Sequence, residues 1–268
     1  MSVDLRAVTP ALILAETLTR LAGRLAAEPG VDPGLVVDLD RAVELATGLD
    51  GYLERWSTPE SADLRRLAAR TADEDWSRYD TVGRVEPEML SGHVEGQLLK
   101  TLVYATRARR VLEVGMFTGY AALAMAEALP PDGEVVACEI DPEVAAFAQS
   151  CFATAEHGSK IDVRVGPALA TLRSLPGQVF DLIFIDADKA GYIGYLDAVL
   201  SGGLLATHGL VCVDNTLMQG QPWTAGASTP NGVAVHAFNQ HVADDPRVEQ
   251  VLLPLRDGVT LVRHAGGL

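Results

Sequence analysis

The sequence predicts an α/β protein built on a doubly wound sheet, mostly parallel, with an antiparallel pair at its C-terminal end. Three observations predict it. From residue 109 onward short apolar runs alternate with Ala-rich amphipathic runs, the grammar of strand–helix–strand units. One run, Phe180 to Asp186, is almost continuously apolar, as a strand covered on both faces must be. Near the end, Val248–Leu255 and Val259–Arg263 flank Arg256-Asp257-Gly258, and two strand runs around an Asp-Gly turn read as a hairpin.

The first 85 residues read as helical. Thr9-Pro10 opens a periodic run through Leu12, Ile13, Leu18, Leu21 and Leu25, with Pro10 suited to a first turn. Asp32-Pro33 opens a second run through Leu35, Val36, Leu39, Val43 and Leu45, closed near Gly48. Ser57-Thr58-Pro59-Glu60 opens a third, continuing through Leu64 and Leu67 into Trp76, and a fourth spans about Pro87 to Thr106. The chain therefore divides into a helical extension, residues 1–85, packed on a main domain, residues 86–268.

In the main domain Arg110–Val114 is the first strand, and Thr118–Leu129 is a helix ended by Pro130-Pro131-Asp132-Gly133. Glu134–Ile140 is the second strand, and Asp141-Pro142 starts a helix reaching about His157. Ile161–Val165, Phe180–Asp186 and Leu210–Val213 are the next three strands, with a helix over roughly Tyr192–Ala206.

The 36 acidic residues against 21 basic ones give a net charge of −15 and pI near 4.7. That balance argues against nucleic acid or an anionic membrane as partner, since phosphate binding depends on Lys and Arg. No stretch approaches the ~18 apolar residues of a membrane helix. The N-terminus lacks a signal-peptide layout, because Glu16 and Arg20 closely follow the apolar run Ala11–Ala15. Cys138, Cys151 and Cys212 are three, an odd number, and read as reduced core residues of a cytoplasmic protein. Only Lys100, Lys160 and Lys189 are lysines among the 21 basic residues, so each lysine is informative.

Ligands of such sheets bind beyond the carboxyl ends of the strands. The first strand leads into Gly115-Met116-Phe117-Thr118-Gly119, a G-x-x-x-G turn that allows close backbone approach without the G-x-G-x-x-G pyrophosphate cradle. Glu139 ends the second strand 24 residues after Gly115, where a ribose diol is held in nucleoside-binding sheets. The alternative, a solvated acid or helix N-cap, suits Asp141 better. Two further strands end in Asp186-Ala187-Asp188-Lys189 and Asp214-Asn215. These are oxygen ligands suited to a hard cation such as Mg²⁺, Mn²⁺ or Ca²⁺ rather than zinc. Lys189 beside them is either a general base toward a substrate hydroxyl or a salt-bridge partner of Asp188. The six histidines are scattered and read as structural or surface residues.

Several blocks in order resemble the cation-dependent class I S-adenosylmethionine O-methyltransferases, the caffeoyl-CoA and catechol type. They are Glu95-Gly96-Gln97, the Glu113–Tyr120 segment, Gly166-Pro167-Ala168-Leu169, Asp186-Ala187-Asp188-Lys189 with Tyr192, and Asp214-Asn215-Thr216-Leu217. The resemblance covers about residues 86–265 and implies a Rossmann-like methyltransferase sheet. By position it implies a metal on Asp186, Asp214 and Asn215, and a catalytic role for Lys189 together with Asp186. It places S-adenosylmethionine against Ser91, Glu95, Gly96, Glu113, Gly115, Met116, Gly119, Tyr120 and Ala121. It adds Glu139, Ile140, Ala168, Asp186 and Asp188 to the same cofactor. Lys189, Gln219 and Trp223 fall on the substrate side, and Pro222–Gly232 is a candidate lid or substrate wall.

Ala121 stands where plant members have a cofactor-contacting serine, and Met218-Gln219 replaces their Trp-Asn, which speaks against a phenylpropanoid-CoA substrate. A narrower resemblance spans nearly the whole chain. It is to the O-methyltransferases of mycosporine-like amino acid biosynthesis, which form 4-deoxygadusol from its demethyl precursor. Its segments include Gly48–Leu53, Thr58–Ser61, Glu88–His93, Cys212–Gly220 and Asp245–Gly258. It implies a small cyclic enolone or vicinal diol as substrate and a homodimer. The alternatives are a catechol-type enzyme acting on another aromatic diol, a nicotinamide-dependent oxidoreductase, and a non-catalytic binding protein.

Overall fold

A computed structural model of the chain describes residues 8–79, 85–175, 177–226 and 228–266. Its helices are α1 (Pro10–Ala26), α2 (Pro33–Thr47), α3 (Leu49–Trp56), α4 (Ala62–Asp73) and α5 (His93–Ala105) ahead of the sheet. Then follow β1 (Arg110–Val114), α6 (Tyr120–Ala128), β2 (Glu134–Glu139), α7 (Pro142–Phe152), β3 (Ile161–Val165) and α8 (Ala168–Arg173). The chain continues through β4 (Phe180–Ile185), α9 (Tyr192–Ser201), β5 (Leu205–Val213), α10 (Pro230–Asp244), β6 (Val248–Leu253) and β7 (Val259–His264).

The seven strands form one sheet in the order β3-β2-β1-β4-β5-β7-β6. β1 to β5 pair in parallel, and β7 inserts antiparallel between β5 and β6. The doubly wound sheet and terminal hairpin are as the sequence predicts. Alternation along the strands explains the apolar runs: Leu182 and Phe184 enter the core under α4–α7, while Ile183 and Ile185 enter the core under α8–α10. The strand order reverses between β1 and β4, so the crevice for a ligand opens at their carboxyl ends.

Several boundaries differ from the sequence reading. β5 begins at Leu205, five residues early, because His208-Gly209 interrupts its apolar run at an irregularity between the pairs Phe180–Leu205 and Leu182–Leu210. The expected helix over Pro87–Thr106 is a short turn at Pro87–Met89 followed by α5. Gly92 at φ 77° breaks it. The third helix read from the sequence is α4, which ends at Asp73, with Trp76 in a separate turn, and α3 lies between the second and third runs read from the sequence. The short or weakly periodic helices α3, α8 and α10 have no counterpart among the runs read from the sequence. α10 takes Pro230–Gly232 out of the expected lid, capped by Thr229, whose hydroxyl accepts from the Gly232 N–H at 3.2 Å. Ala227 of that segment lies outside the described residues.

Of the N-terminal helices, α4 sends Leu64 and Leu67 into the main core, whereas α2 and α3 have no buried residue. The three cysteines are buried and unpaired. No helix among the described residues is long and apolar enough to cross a membrane.

Candidate functional site

The site is built on the ends of β1, β2, β4 and β5. After β1 the chain turns at Gly115, φ 91°, whose N–H and that of Met116 donate to the Cys138 carbonyl at 3.1 and 2.9 Å. A Cβ at Gly115 would overlap the Asp186 backbone carbonyl, so glycine is what lets the β1 and β4 ends meet. At the far side of the turn Gly119, φ 90°, sits against the Phe152 ring, where a Cβ would also collide. Met116 and Ala121 are buried beside it. The turn is supported from α4: the Thr71 hydroxyl donates to that of Thr118 at 3.0 Å, and Trp76 packs on Phe117 with centroids 5.8 Å apart.

Glu139 ends β2, 8% exposed. One carboxylate oxygen accepts the Phe117 N–H at 2.7 Å and the other the Asp141 N–H at 3.0 Å. Each oxygen keeps a further lone pair, which suits a pair of vicinal hydroxyls. Burial nonetheless raises its pKa, with those backbone donors opposing. Asp141 is the N-cap of α7, accepting from Glu143 and Val144 N–H, so the two acids divide the roles left open between them. Glu113, in mid-β1, is buried, and its Oε2 has no hydrogen-bond partner. Burial and then the charges of Asp186 and Glu139 push its pKa well up. That unpartnered buried oxygen suits a donor, a cationic one above all.

Asp186 and Asp214 immediately follow the paired residues Ile185 and Val213, so they stand side by side on adjacent strand ends. The Lys189 ammonium donates to Asp186 Oδ1 at 2.9 Å, the Ala187 carbonyl at 3.2 Å and the Tyr192 hydroxyl at 2.7 Å. Its ion-pair partner is thus Asp186 rather than Asp188. Burial pulls the Lys189 pKa down, but Asp186, Tyr192 and Asp214 together hold it above the ordinary lysine value, so it is an ammonium here. Asp214 accepts from Asn215 N–H at 2.6 Å and from Asn215 Nδ2 at 3.0 Å, so the Asn215 Oδ1 is not used in that contact and can serve as an acceptor. Burial and the Asp186 charge lift the Asp214 pKa to about 7.

Glu95 on α5 is buried in the same cluster. No hydrogen-bond donor reaches either carboxylate oxygen, and the nearest cation is Arg256, Nε 3.7 Å away. Burial and Asp214 push its pKa well up, and Arg256 opposes them. Gly96 lets α5 approach α6: a Cβ there would press to 2.8 Å on the Tyr120 ring.

The structure thus brings Glu95, Asp186, Lys189, Asp214 and Asn215 together, with Glu113, Gly115 and Glu139 adjoining. Other expected residues are placed differently. The Tyr120 hydroxyl is donated to Glu60 of the N-terminal segment, and the Asp188 carboxylate, exposed, accepts from the Tyr195 hydroxyl. Ile140 is exposed beside Glu139, and Ala168 opens α8 half-buried. Ser91 is buried before α5. Gln219 has φ 58°, its N–H held by Asp257 Oδ1 at 2.6 Å, and Trp223 is 58% exposed.

Tyr192, Arg256 and Asp257 were given no role from the sequence. Asp257 read as a turn residue, yet its side chain is buried and its pKa is raised by burial to about 6. One structural signal marks Arg256 among them: of the six non-glycine residues with positive φ among those described, Phe117, Asn215, Met218, Gln219 and Arg256 all belong to the loops of the site. Elsewhere Asp197, His241 and Asp245 also converge, but Arg247 answers their charge, pairing with Asp197 at 2.7 Å and Asp245 at 2.6 Å.

The residues fit the two groups that the family resemblance implies. Asp186, Asp214 and Asn215 present oxygen donors only, in a cluster with surplus negative charge, as a hard divalent cation requires. The unpartnered Oε2 of Glu113, the close backbone approach at Gly115 and the half-filled carboxylate of Glu139 fit an amino acid–nucleoside cofactor.

Comparison with known proteins decides the class. The sequence pattern of the O-methyltransferase family matches residues 72–265. The chain belongs to this O-methyltransferase family. It is accordingly an enzyme of the S-adenosylmethionine-dependent O-methyltransferase class. The O-methyltransferase ankF of Aspergillus thermomutatus is 34% identical over 233 residues, 82% of this chain and 94% of the relative. The caffeoyl-CoA O-methyltransferase of Petroselinum crispum is 36% identical over 221 residues, 76% and 85% of the two chains. Among solved structures, the S-adenosylhomocysteine-bound methyltransferase PaMTH1 of Podospora anserina superimposes with TM-score 0.72 at 30% identity, covering 82% of this chain and 95% of that one. TomG of Streptomyces achromogenes, an O-methyltransferase of tomaymycin synthesis solved with S-adenosylmethionine, gives TM-score 0.69 at 29% identity, covering 82% and 96%. In this O-methyltransferase the sheet end described above occupies the position at which doubly wound sheets bind their ligands.

Proposed function

We propose that this O-methyltransferase transfers the methyl group of S-adenosylmethionine to an enol hydroxyl of demethyl-4-deoxygadusol, giving 4-deoxygadusol, with a divalent cation, Mg²⁺ first among candidates. The observation that bears the reading is the juxtaposition of Asp186, Asp214 and Asn215 with the Lys189 ammonium. That arrangement suits a small substrate with two adjacent oxygens. The replacement of the plant Trp-Asn by Met218-Gln219 supports a compact substrate over a phenylpropanoid thioester.

In this reading Glu139 accepts the ribose hydroxyls of the cofactor and Glu113 its amino group, with Ser91 and the Gly115 turn lining the methionyl part. Glu95, Gly96, Met116, Gly119, Tyr120, Ala121, Ile140, Ala168 and Asp188 complete the cofactor side through backbone, ring or packing. Asp186, Asp214 and Asn215 hold the cation. Bound there, the cation supplies Lewis acidity that lowers the pKa of a chelated hydroxyl, and the sulfonium supplies an electrophilic methyl. Lys189, fixed as an ammonium by Asp186 and Tyr192, places positive charge at the substrate oxygen and stabilises the oxyanion left once the hydroxyl proton has passed to solvent. Gln219 and Trp223 form the substrate wall. Alignment of oxygen, methyl and sulfur is then the main demand on the protein. We further propose a homodimer. The exposed apolar side chains of Leu14, Leu35, Val37, Leu45 and Trp56 on α1–α3 support it as a contact surface.

The test is methyl transfer by the purified protein to demethyl-4-deoxygadusol and, side by side, to catechol, with metal chelated and restored. Product from the first, lost with EDTA and recovered with Mg²⁺, is expected. Turnover of catechol alone would reassign the pocket, and activity untouched by both EDTA and Asp214→Ala would remove the metal from the reaction.

A further inference from the structure

The hairpin turn between β6 and β7 does more than reverse the chain. Arg256 has φ 49°, a left-handed conformation that is strained for an arginine and persists only where the surroundings enforce it. Its guanidinium reaches 165 residues back along the chain: Nη1 donates to the Ser91 carbonyl, Nη2 to the Leu90 carbonyl at 3.2 Å, and Nε faces Glu95 at 3.7 Å. Three acceptors around one planar fork is a geometry that only arginine supplies. The receiving segment is shaped for it. Gly92 has φ 77°, and a Cβ there would lie 2.5 Å from Arg256 Nη1, so the glycine leaves the space the guanidinium fills. The two residues after Arg256 grip the opposite wall. The Asp257 carbonyl accepts from Leu217 N–H at 2.8 Å, its carboxylate from Gln219 N–H, and the Gly258 carbonyl from Thr216 N–H at 3.0 Å.

We propose that Arg256 is a positioning residue for cofactor capture, clamping the Leu90–Gly92 segment to the same turn that fixes the Thr216–Gln219 wall. This rests on the reading that Ser91 lines the methionyl end of the cofactor. Arg256 itself touches no reacting atom. Its contribution is to hold the Ser91 backbone in its bound position before the cofactor arrives, so that capture does not have to order a loose segment.

The experiment is titration calorimetry with S-adenosylhomocysteine on wild type, Arg256→Lys, Arg256→Ala and Gly92→Ala, each first shown to be folded by its thermal transition. Wild type binds. Arg256→Lys keeps the charge beside Glu95 but loses the fork, and its Kd rises about tenfold. Arg256→Ala weakens binding further, and added ethylguanidinium restores part of it. Gly92→Ala, which pushes the guanidinium aside, weakens binding in the same way, and combining it with Arg256→Ala adds little. Unchanged affinity in folded Arg256→Lys and Gly92→Ala would overturn the proposal, and if Arg256→Ala does not fold, Arg256→Lys decides. A wild-type protein that fails to bind S-adenosylhomocysteine would instead overturn the cofactor reading itself.

Discussion

The Lys189 ammonium donates to the Tyr192 hydroxyl at 2.7 Å, and that hydroxyl, fully buried, donates onward to the Asp214 backbone carbonyl at 3.0 Å. The amine is thereby fixed from two sides, by Asp186 and by a phenol with no freedom to turn away. Replacing Lys189 with Met removes the positive charge proposed to face the substrate oxygen, and kcat is expected to fall at least about a hundredfold. Tyr192→Phe leaves the amine in place but loosens it, with a smaller loss of about tenfold. Affinity for S-adenosylhomocysteine stays within about threefold in both. Initial rates and calorimetry on the same preparations check this.

Glu139 tests the ribose assignment. Glu139→Gln keeps the shape but faces one of the two backbone N–H donors, Phe117 or Asp141, with an amide NH₂. Loss of a charged acceptor for buried donors is worth about 1.5–3 kcal/mol, so S-adenosylhomocysteine binding should weaken about 10- to 100-fold. A methionine analogue lacking the ribose should show little change in competition assays.

Gly115→Ala carries a double penalty, a side chain at φ 91° and a collision with the Asp186 carbonyl. The β1 and β4 ends must part to admit it. Expected are a loss of thermal stability of several degrees and activity below a few per cent of wild type, measured by calorimetric scan and initial rate.

Asp257 gives the pH dependence. Burial raises its pKa from 3.8 to about 6 in the folded protein, so between about pH 4 and 6 the native state binds more protons than the unfolded chain. Stability contributed by this group is therefore present at low pH and lost as pH rises through 6. Asp257→Asn, which can still accept from the Gln219 N–H, should lack this dependence. The wild type should lose about 2 kcal/mol relative to the variant from pH 4 to pH 7, with no further change above that. Chemical denaturation of the two proteins across that range measures it.

Much of this arrangement was legible in the residues. Continuous apolar runs such as Phe180–Ile185 announce strands buried on both faces, and the residue after each such run is where chemistry collects. That alone located Glu139, Asp186, Lys189, Asp214 and Asn215. Elements without such a signature were harder. His208-Gly209 hid half of β5, and α10 mixes polar and apolar residues with little periodicity. Contacts between distant segments left no local trace at all. Arg256 and Asp257 look like ordinary turn residues because their partners, Ser91 and Gln219, are fixed by topology and not by neighbouring sequence. The same limit applies to Tyr120, whose hydroxyl goes to Glu60, and to Asp188, whose carboxylate faces Tyr195.

Inserting β7 between β5 and β6 has a consequence for the order in which the enzyme comes into being. The residues proposed to hold the cofactor and the cation all lie between Ser91 and Asn215, yet the strap on the first of them comes from residue 256, a loop closure of 165 residues. Long closures form late because their entropy must be met before the contact rewards it. A folding intermediate with β1 to β5 paired would hold the acidic cluster without its guanidinium counterweight. In that order of events the Leu90–Gly92 segment is fixed only when the hairpin docks, so competence to bind is expected to arrive with this long closure.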